Sequence, residues 1–208
     1  MPTASRMSLR QAIASKLYGN DTFLTGTATG AGSTTTMVDT KLISTMVAAD
    51  SYVGYWLYID TTTADAAPAK EARMVSQFDR TTGTVTVDPA FTAIPGTVLV
   101  ATYELHPVLH PNRIDEAINW ALEFGSNEAY AAIADADDEI TTSAIYDRDI
   151  LMEGALYYLK QSWAHDPGLD PNRRAELTEQ WQRHHESWKR GLSELVGYRR
   201  PTLVTGGS

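Results

Sequence analysis

The chain contains no cysteine. That excludes disulfides and thiolate metal sites and leaves either redox compartment open. Long apolar runs are missing too. Nothing approaches the roughly eighteen consecutive apolar residues of a membrane-crossing helix. The opening MPTASRMSLRQAIASKL has no continuous apolar stretch, so neither a membrane span nor a signal peptide is expected. Positive charge is scarce: the formal net charge is −9. This argues against a broad basic face that wraps nucleic acid, but it does not exclude a surface that DNA slides past without sticking. Signatures of catalysis are lacking as well. There is no G-x-S-x-G, no H-E-x-x-H and no Walker lysine, and no spacing brings a particular pair of carboxylates together. No catalytic residue, cofactor or metal ligand is therefore assigned, and a non-enzymatic role is expected.

What is present falls into two styles of sequence. From about Thr22 to Leu105 the chain is rich in Thr, Val, Tyr and Gly. Branched and aromatic residues suit a pleated, half-buried surface, so YVGYWLYI (52–59), ARMVSQF (72–78), GTVTV (83–87) and VLVATY (98–103) are expected as strands. Asp79-Arg80-Thr81-Thr82-Gly83 reads as a hairpin loop, with Gly supplying the positive φ. Short antiparallel strands lose their edges by closing, which predicts a small β-barrel-like module. Its opening, FLTGTATGAGSTTTMVDTKL (23–42), is Gly-rich but lacks the Lys of a phosphate-binding loop. It is read as a β-turn region. Alternation places Tyr52, Trp56 and Tyr58 on one face.

Around this module the pattern is helical. A first helix is expected over 8–18, with Ser8 and Gln11 at the spacing of a capping box. His106-Pro107-Val108-Leu109-His110-Pro111 reads as a linker, because its prolines break the helix that two His four apart would need to share a metal. The second helix runs from Pro111 to about Ala134, on a face that includes Ile114, Ala117, Ile118, Ala121 and Leu122. The acidic run 135–139 lacks the Gly and terminal Glu of a calcium loop and is read as solvated. The third helix, 147–164, lines up Leu151, Ala155, Leu159 and Trp163. Gly154 within it implies close approach of another backbone. The fourth, 171–196, is capped by Asp170 and carries Trp181, His184 and Trp188 along a seam, with His185 turned to water. The expected architecture is α+β: a four-helix bundle (1–21 and 106–196), an inserted β domain (22–105) and an extended tail (197–208) released by Gly197. Ile118, Leu122, Leu151, Gly154, Leu159, Trp163, Trp181 and Trp188 are expected to pack helices or subunits together.

This layout, with N-R-I-D-E-A-I-N-W-A-L (112–122), G-A-L-Y-Y-L (154–159), and GTATGAGSTTTMVDTKL, YVGYWLYI and RMVSQFDRTTGTVTVDPAF in the insert, resembles the head-to-tail adaptor (connector) proteins of tailed bacteriophages. The resemblance implies a structural virion protein at the head–tail junction, or neck, assembled in the host cytoplasm. It implies a ring of commonly twelve copies, docked beneath the portal protein and joined to a tail or tail-nozzle protein. DNA would pass through its channel without sequence-specific binding. It also implies that the tail reaches the portal, through Tyr198, Arg199, Arg200, Pro201, Leu203 and Val204. The alternative from another class is a binding module whose β insert grips a glycan or nucleic acid by stacking on Tyr52, Tyr55, Trp56 and Tyr58.

Overall fold

The structure, a computed structural model, describes residues 4–19, 22–44, 47–62, 67–95, 101–125, 139–140, 148–165 and 168–198. The chain divides into two compact units, Arg10–Ile114 and Met1–Leu9 with Asp115–Ser208.

The first unit is a single antiparallel sheet of six strands with the helix α1 (Arg6–Tyr18) contributing residues 10–18. The strands are β2 (Leu24–Thr27), β3 (Thr36–Val38), β4 (Trp56–Thr61), β5 (Ala72–Asp79), β6 (Thr84–Asp88) and β7 (Thr102–His106), in the order β2-β7-β4-β5-β6-β3. Two bulges help curl it. The register slips between Ile59 and Thr61 on β4 and between Val75 and Gln77 on β5; each adds a residue to one strand and so bends and twists it. The inner face holds the apolar core: Met37, Leu57, Val75, Phe78, Val85 and Leu105, among others, are almost fully buried. The hairpin between β5 and β6 forms as its residues dictate. Gly83 sits at φ 68°, and Asp79 accepts from the Thr81 amide and from the hydroxyls of Thr81 and Thr82. Those bonds, the Thr81 hydroxyl first, hold the Asp79 carboxyl below its ordinary range.

The second unit contains the body of α2 (Pro111–Gly125), together with α3 (Arg148–Ala164) and α4 (Pro171–Tyr198). A short ladder joins β1 (Ala4–Ser5) to β8 (Glu139–Ile140). The helices α3 and α4 form an antiparallel pair, since Ile150 meets Gly191, Glu153 meets His184 and Lys160 meets Gln180. Asp170 caps α4 as its type predicts, its Oδ1 accepting from the amides of Asn172 and Arg173 at 2.9 and 3.2 Å.

The expected architecture is corrected in two respects. The sheet is an open, curled half-barrel and not a barrel: β2 and β3 are its edges, and among the described residues they come together at one corner where the Thr29 and Gly30 amides donate to the Val38 carbonyl. The four helices do not make a four-helix bundle either, because most of α1 belongs to the sheet unit and the extensive helix–helix packing is between α3 and α4. The reason lies in Arg10, whose buried partners are on the strands.

Smaller differences share a cause in local turn chemistry. Residues 50–54 form a turn, so the strand expected at 52 starts at Trp56. The Gly-rich stretch contributes β2 and β3. The helix expected at Ser8 starts at Arg6, which puts Ser8 inside the helix and not at its cap. Gly197 does not release α4, which continues to Tyr198.

Candidate functional site

Charged and aromatic chemistry gathers in two places. The first is on the side of β4 and β7 opposite the apolar core. Strand alternation sends Leu57, Ile59, Tyr103 and Leu105 into the core and Tyr58, Glu104 and His106 to the other face. Asp60, at the bulge in β4, joins them through its bond from Arg10. From α1, Arg10 reaches in: its Nε donates to Glu104 Oε2 at 2.8 Å and its Nη2 to Asp60 Oδ1 at 2.5 Å. Its guanidinium lies 4.4 Å from the ring centroid of Tyr58. Gln11 also donates to Glu104, and Lys70 Nζ approaches Asp60 Oδ1 at 3.4 Å. His106 Nε2 lies 2.8 Å from Glu104 Oε2. An ionised carboxylate only accepts, so Nε2 carries the proton. Phe23 covers the imidazole, ring centroids 5.0 Å apart.

Arg10, Asp60, Glu104 and His106 are all at most 1% exposed. Burial by itself raises the carboxyl of Glu104, but the bond from His106 and the charge and bonds of Arg10 outweigh it and hold the group at about 2. Asp60 Oδ2 and His106 Nδ1 are buried without a hydrogen-bond partner. Sealed under a helix and close to charge balance, this cluster fixes α1 to the sheet; it is not presented to a substrate.

The second place is the helical unit. Gly154 on α3 lets the indole of Trp188 and the methyl of Ala121 come close; a Cβ there would lie 2.9 Å from Trp188 Nε1 and 3.0 Å from Ala121 Cβ. The close neighbours are thus side chains, not the backbone expected. Around them Trp120, Tyr157, Tyr158, Trp181 and His185 form a connected stack, with Tyr157 and His185 nearly parallel at 4.5 Å. Trp188 is buried and the others half-buried. His184 meets Glu153 at 2.6 Å across the α3–α4 seam.

Of the residues singled out in the sequence for packing, Ile118, Leu122, Leu151, Gly154, Leu159 and Trp188 are buried, and Trp163 and Trp181 half-buried. Tyr198 is the last residue of α4, while Arg199, Arg200, Pro201, Leu203 and Val204 lie outside the described residues, as does the acidic run 135–138. Two histidine readings are corrected. His106 is a fully buried strand residue and not part of a linker, and His185 stacks on Tyr157 and does not turn freely to water. His110, at the start of α2, accepts from the Asn112 amide and packs edge-on against Trp56. Sequence reasoning missed Arg10, Asp60 and Glu104. The signal was there: Asp60 and Glu104 interrupt otherwise apolar strands, and charges in such places need a partner.

Among the described residues no three of His, Asp and Glu are disposed to hold a metal ion, and no described helix is long and apolar enough to cross a membrane. Comparison of the chain with protein-family models, with curated proteins and with solved structures finds no match.

Proposed function

We propose that the chain is a structural adaptor of a tailed-phage neck: one subunit of a ring, about twelve copies by the resemblance, that docks beneath a portal, extends the DNA channel and links capsid to tail. The observation that carries this reading is where the chemistry lies. The buried polar cluster Arg10–Asp60–Glu104–His106 is closed off and used to hold a helix. What the helical unit offers outward is a helix surface with half-buried aromatic rings. Aromatic residues are enriched where proteins join. The net charge of −9 suits a channel wall that DNA phosphates must not stick to. The C-terminal tail supplies apolar and arginine anchors for the portal.

A stacking module for glycans or bases is not favoured. Tyr58 lies beneath Arg10, Tyr52 packs edge-on against Phe78 and Tyr55, and Trp56 packs edge-on against His110.

Electron microscopy of the purified protein mixed with its portal tests the proposal. The expected particle is a ring with an open axial channel attached to the portal, lost or greatly depleted when residues 199–208 are removed. A compact dimer without a channel, in the same mixture, would sink the adaptor reading. Unchanged portal binding by the truncated chain would move docking from the tail to the folded body.

A further inference from the structure

Where the backbone pairing of the sheet stops, a buried side chain carries it on. Tyr103 on β7 lies opposite Gly26 on the edge strand β2, and its ring leans over that strand. A Cβ at Gly26 would lie 2.5 Å from the Tyr103 hydroxyl oxygen and 2.6 Å from its Cζ, so a glycine is what leaves the ring room to cross. The hydroxyl then donates to Asp39 Oδ2 at 2.7 Å. Asp39 directly follows β3, the opposite edge of the sheet. Its other carboxylate oxygen accepts from the Lys41 amide at 3.0 Å. Asp39 is 0% and Tyr103 2% exposed. Burial first, and then the bond and charge of Asp39, raise the Tyr103 phenol above its ordinary range, so the hydroxyl stays a donor. Around this bond the corner has lighter links. The Thr29 and Gly30 amides donate to the Val38 carbonyl at 2.9 and 3.2 Å, and the Thr40 amide to Thr29 Oγ1 at 2.8 Å. Thr29 and Thr40 are exposed.

We propose that the Tyr103–Asp39 bond is a latch that holds the half-barrel shut at this corner, and that the corner opens as a unit of its own when the latch breaks. The exposed links are not enough to hold it, because bonds that face water are readily exchanged for bonds to water. The latch is out of water, and a buried carboxylate that loses one of its two donors has no substitute at hand. The inner strands do not need it. Continuous ladders join β7 to β4, β4 to β5 and β5 to β6, and all four pack on the apolar core. Opening therefore parts the ends of β2 and β3 and leaves the middle of the sheet paired. It also bares two strand edges, the form in which a sheet accepts a strand from another chain. With four and three residues, β2 and β3 are short, as guarded edges are. Short strands and an internal latch are two parts of one protection.

The test is native-state amide hydrogen exchange of the full chain, followed by NMR. The reporters are the amides of Thr29, Gly30 and Thr40, whose bonds cross the corner. The references are the amides of Ile59 and Val75, which donate to the carbonyls of Glu71 and Tyr55 away from it. In the wild type the reporters should exchange through an opening that costs less than the one releasing the references. Tyr103→Phe removes the hydroxyl and keeps the ring. It should speed exchange of the three reporters by about tenfold or more, the loss expected for a hydrogen bond to a charged group. The factor should equal the fall in the folding constant measured in urea, because the latch is broken in both openings. Reporters that keep their wild-type rates in Tyr103→Phe while global stability falls overturn the latch. Reporters that, in the wild type, open only together with Ile59 and Val75 overturn the separate opening. Should Tyr103→Phe fail to fold, Asp39→Asn replaces it. Bonds to a neutral acceptor are about half as strong as bonds to a charged one, so a smaller rise at the same three amides is expected, and no rise there overturns the latch.

Discussion

Arg10 ties α1 to the strands of the sheet unit. One guanidinium serves carboxylates from two adjacent strands, with all three groups out of water. A buried ion pair of this kind is not strong evidence of net stabilisation, since desolvation offsets much of the attraction, but removing one partner strands the others. Arg10→Met should therefore lower stability by about 3–5 kcal/mol, the range for breaking a buried pair, read as a drop in the urea midpoint. Arg10→Lys should recover only part of it, because a point charge cannot span Glu104 and Asp60 as a fork does. The same cluster sets an acid limit. Glu104 is held at about 2 in the folded chain, against 4.5 for the free group. A carboxyl depressed on folding stabilises fully above its unfolded value, and that stabilisation is lost as pH falls through the folded one. The urea midpoint should accordingly decline as pH is lowered from 4.5 toward 2, and less steeply in Glu104→Gln. Equal slopes in both proteins would show that other groups govern acid unfolding.

At the scale of elements, the α3–α4 pair is defined by what its glycines admit. In an open helix Gly154→Ala would gain about 1 kcal/mol from propensity. Here the added methyl meets the rigid indole of Trp188 and the methyl of Ala121 at 3.0 Å or less, and overpacking a tight contact costs about 1–3 kcal/mol. The second effect equals or exceeds the first, so Gly154→Ala should destabilise the helical unit by up to about 2 kcal/mol net on those magnitudes. Differential scanning calorimetry together with tryptophan fluorescence checks it. A stabilised variant would mean that Trp188 swings aside freely. Among the strands, the bulges on β4 and β5 are the corresponding devices: they bend the sheet.

For the whole molecule, the division between units falls inside two helices. Residues 6–9 of α1 belong to one unit and 10–18 to the other, while α2 divides between Ile114 and Asp115. Excising 22–105 would therefore remove the partners of Arg10 together with the strands. The better fragment is 1–114, which keeps α1 whole along with all six strands and the buried cluster. It should give a β-dominated circular dichroism spectrum and a cooperative thermal transition. A fragment that melts without cooperativity would show that the sheet unit needs the rest of the chain.

Local patterns in the sequence determined a good deal. The hairpin at Asp79–Gly83, the strands ARMVSQF and GTVTV to within a residue, the span of the third helix, the Asp170 cap and the apolar face of the second helix all follow from periodicity and turn chemistry, which act over a few residues. The tertiary structure decided what those patterns cannot encode. Whether short strands close depends on how β2 and β3 meet, about seventy residues from the strand β7 that flanks one of them and next to a corner built by Thr29 and Gly30. Which unit claims α1 depends on Arg10 meeting Glu104, ninety-four positions away. Whether His106 is a linker residue or a core residue depends on Phe23 and Glu104 surrounding it. Charge in an apolar strand signals that a partner is needed, but only the folded chain names the partner, because burial makes the pairing obligatory and long-range packing alone brings the two charges together.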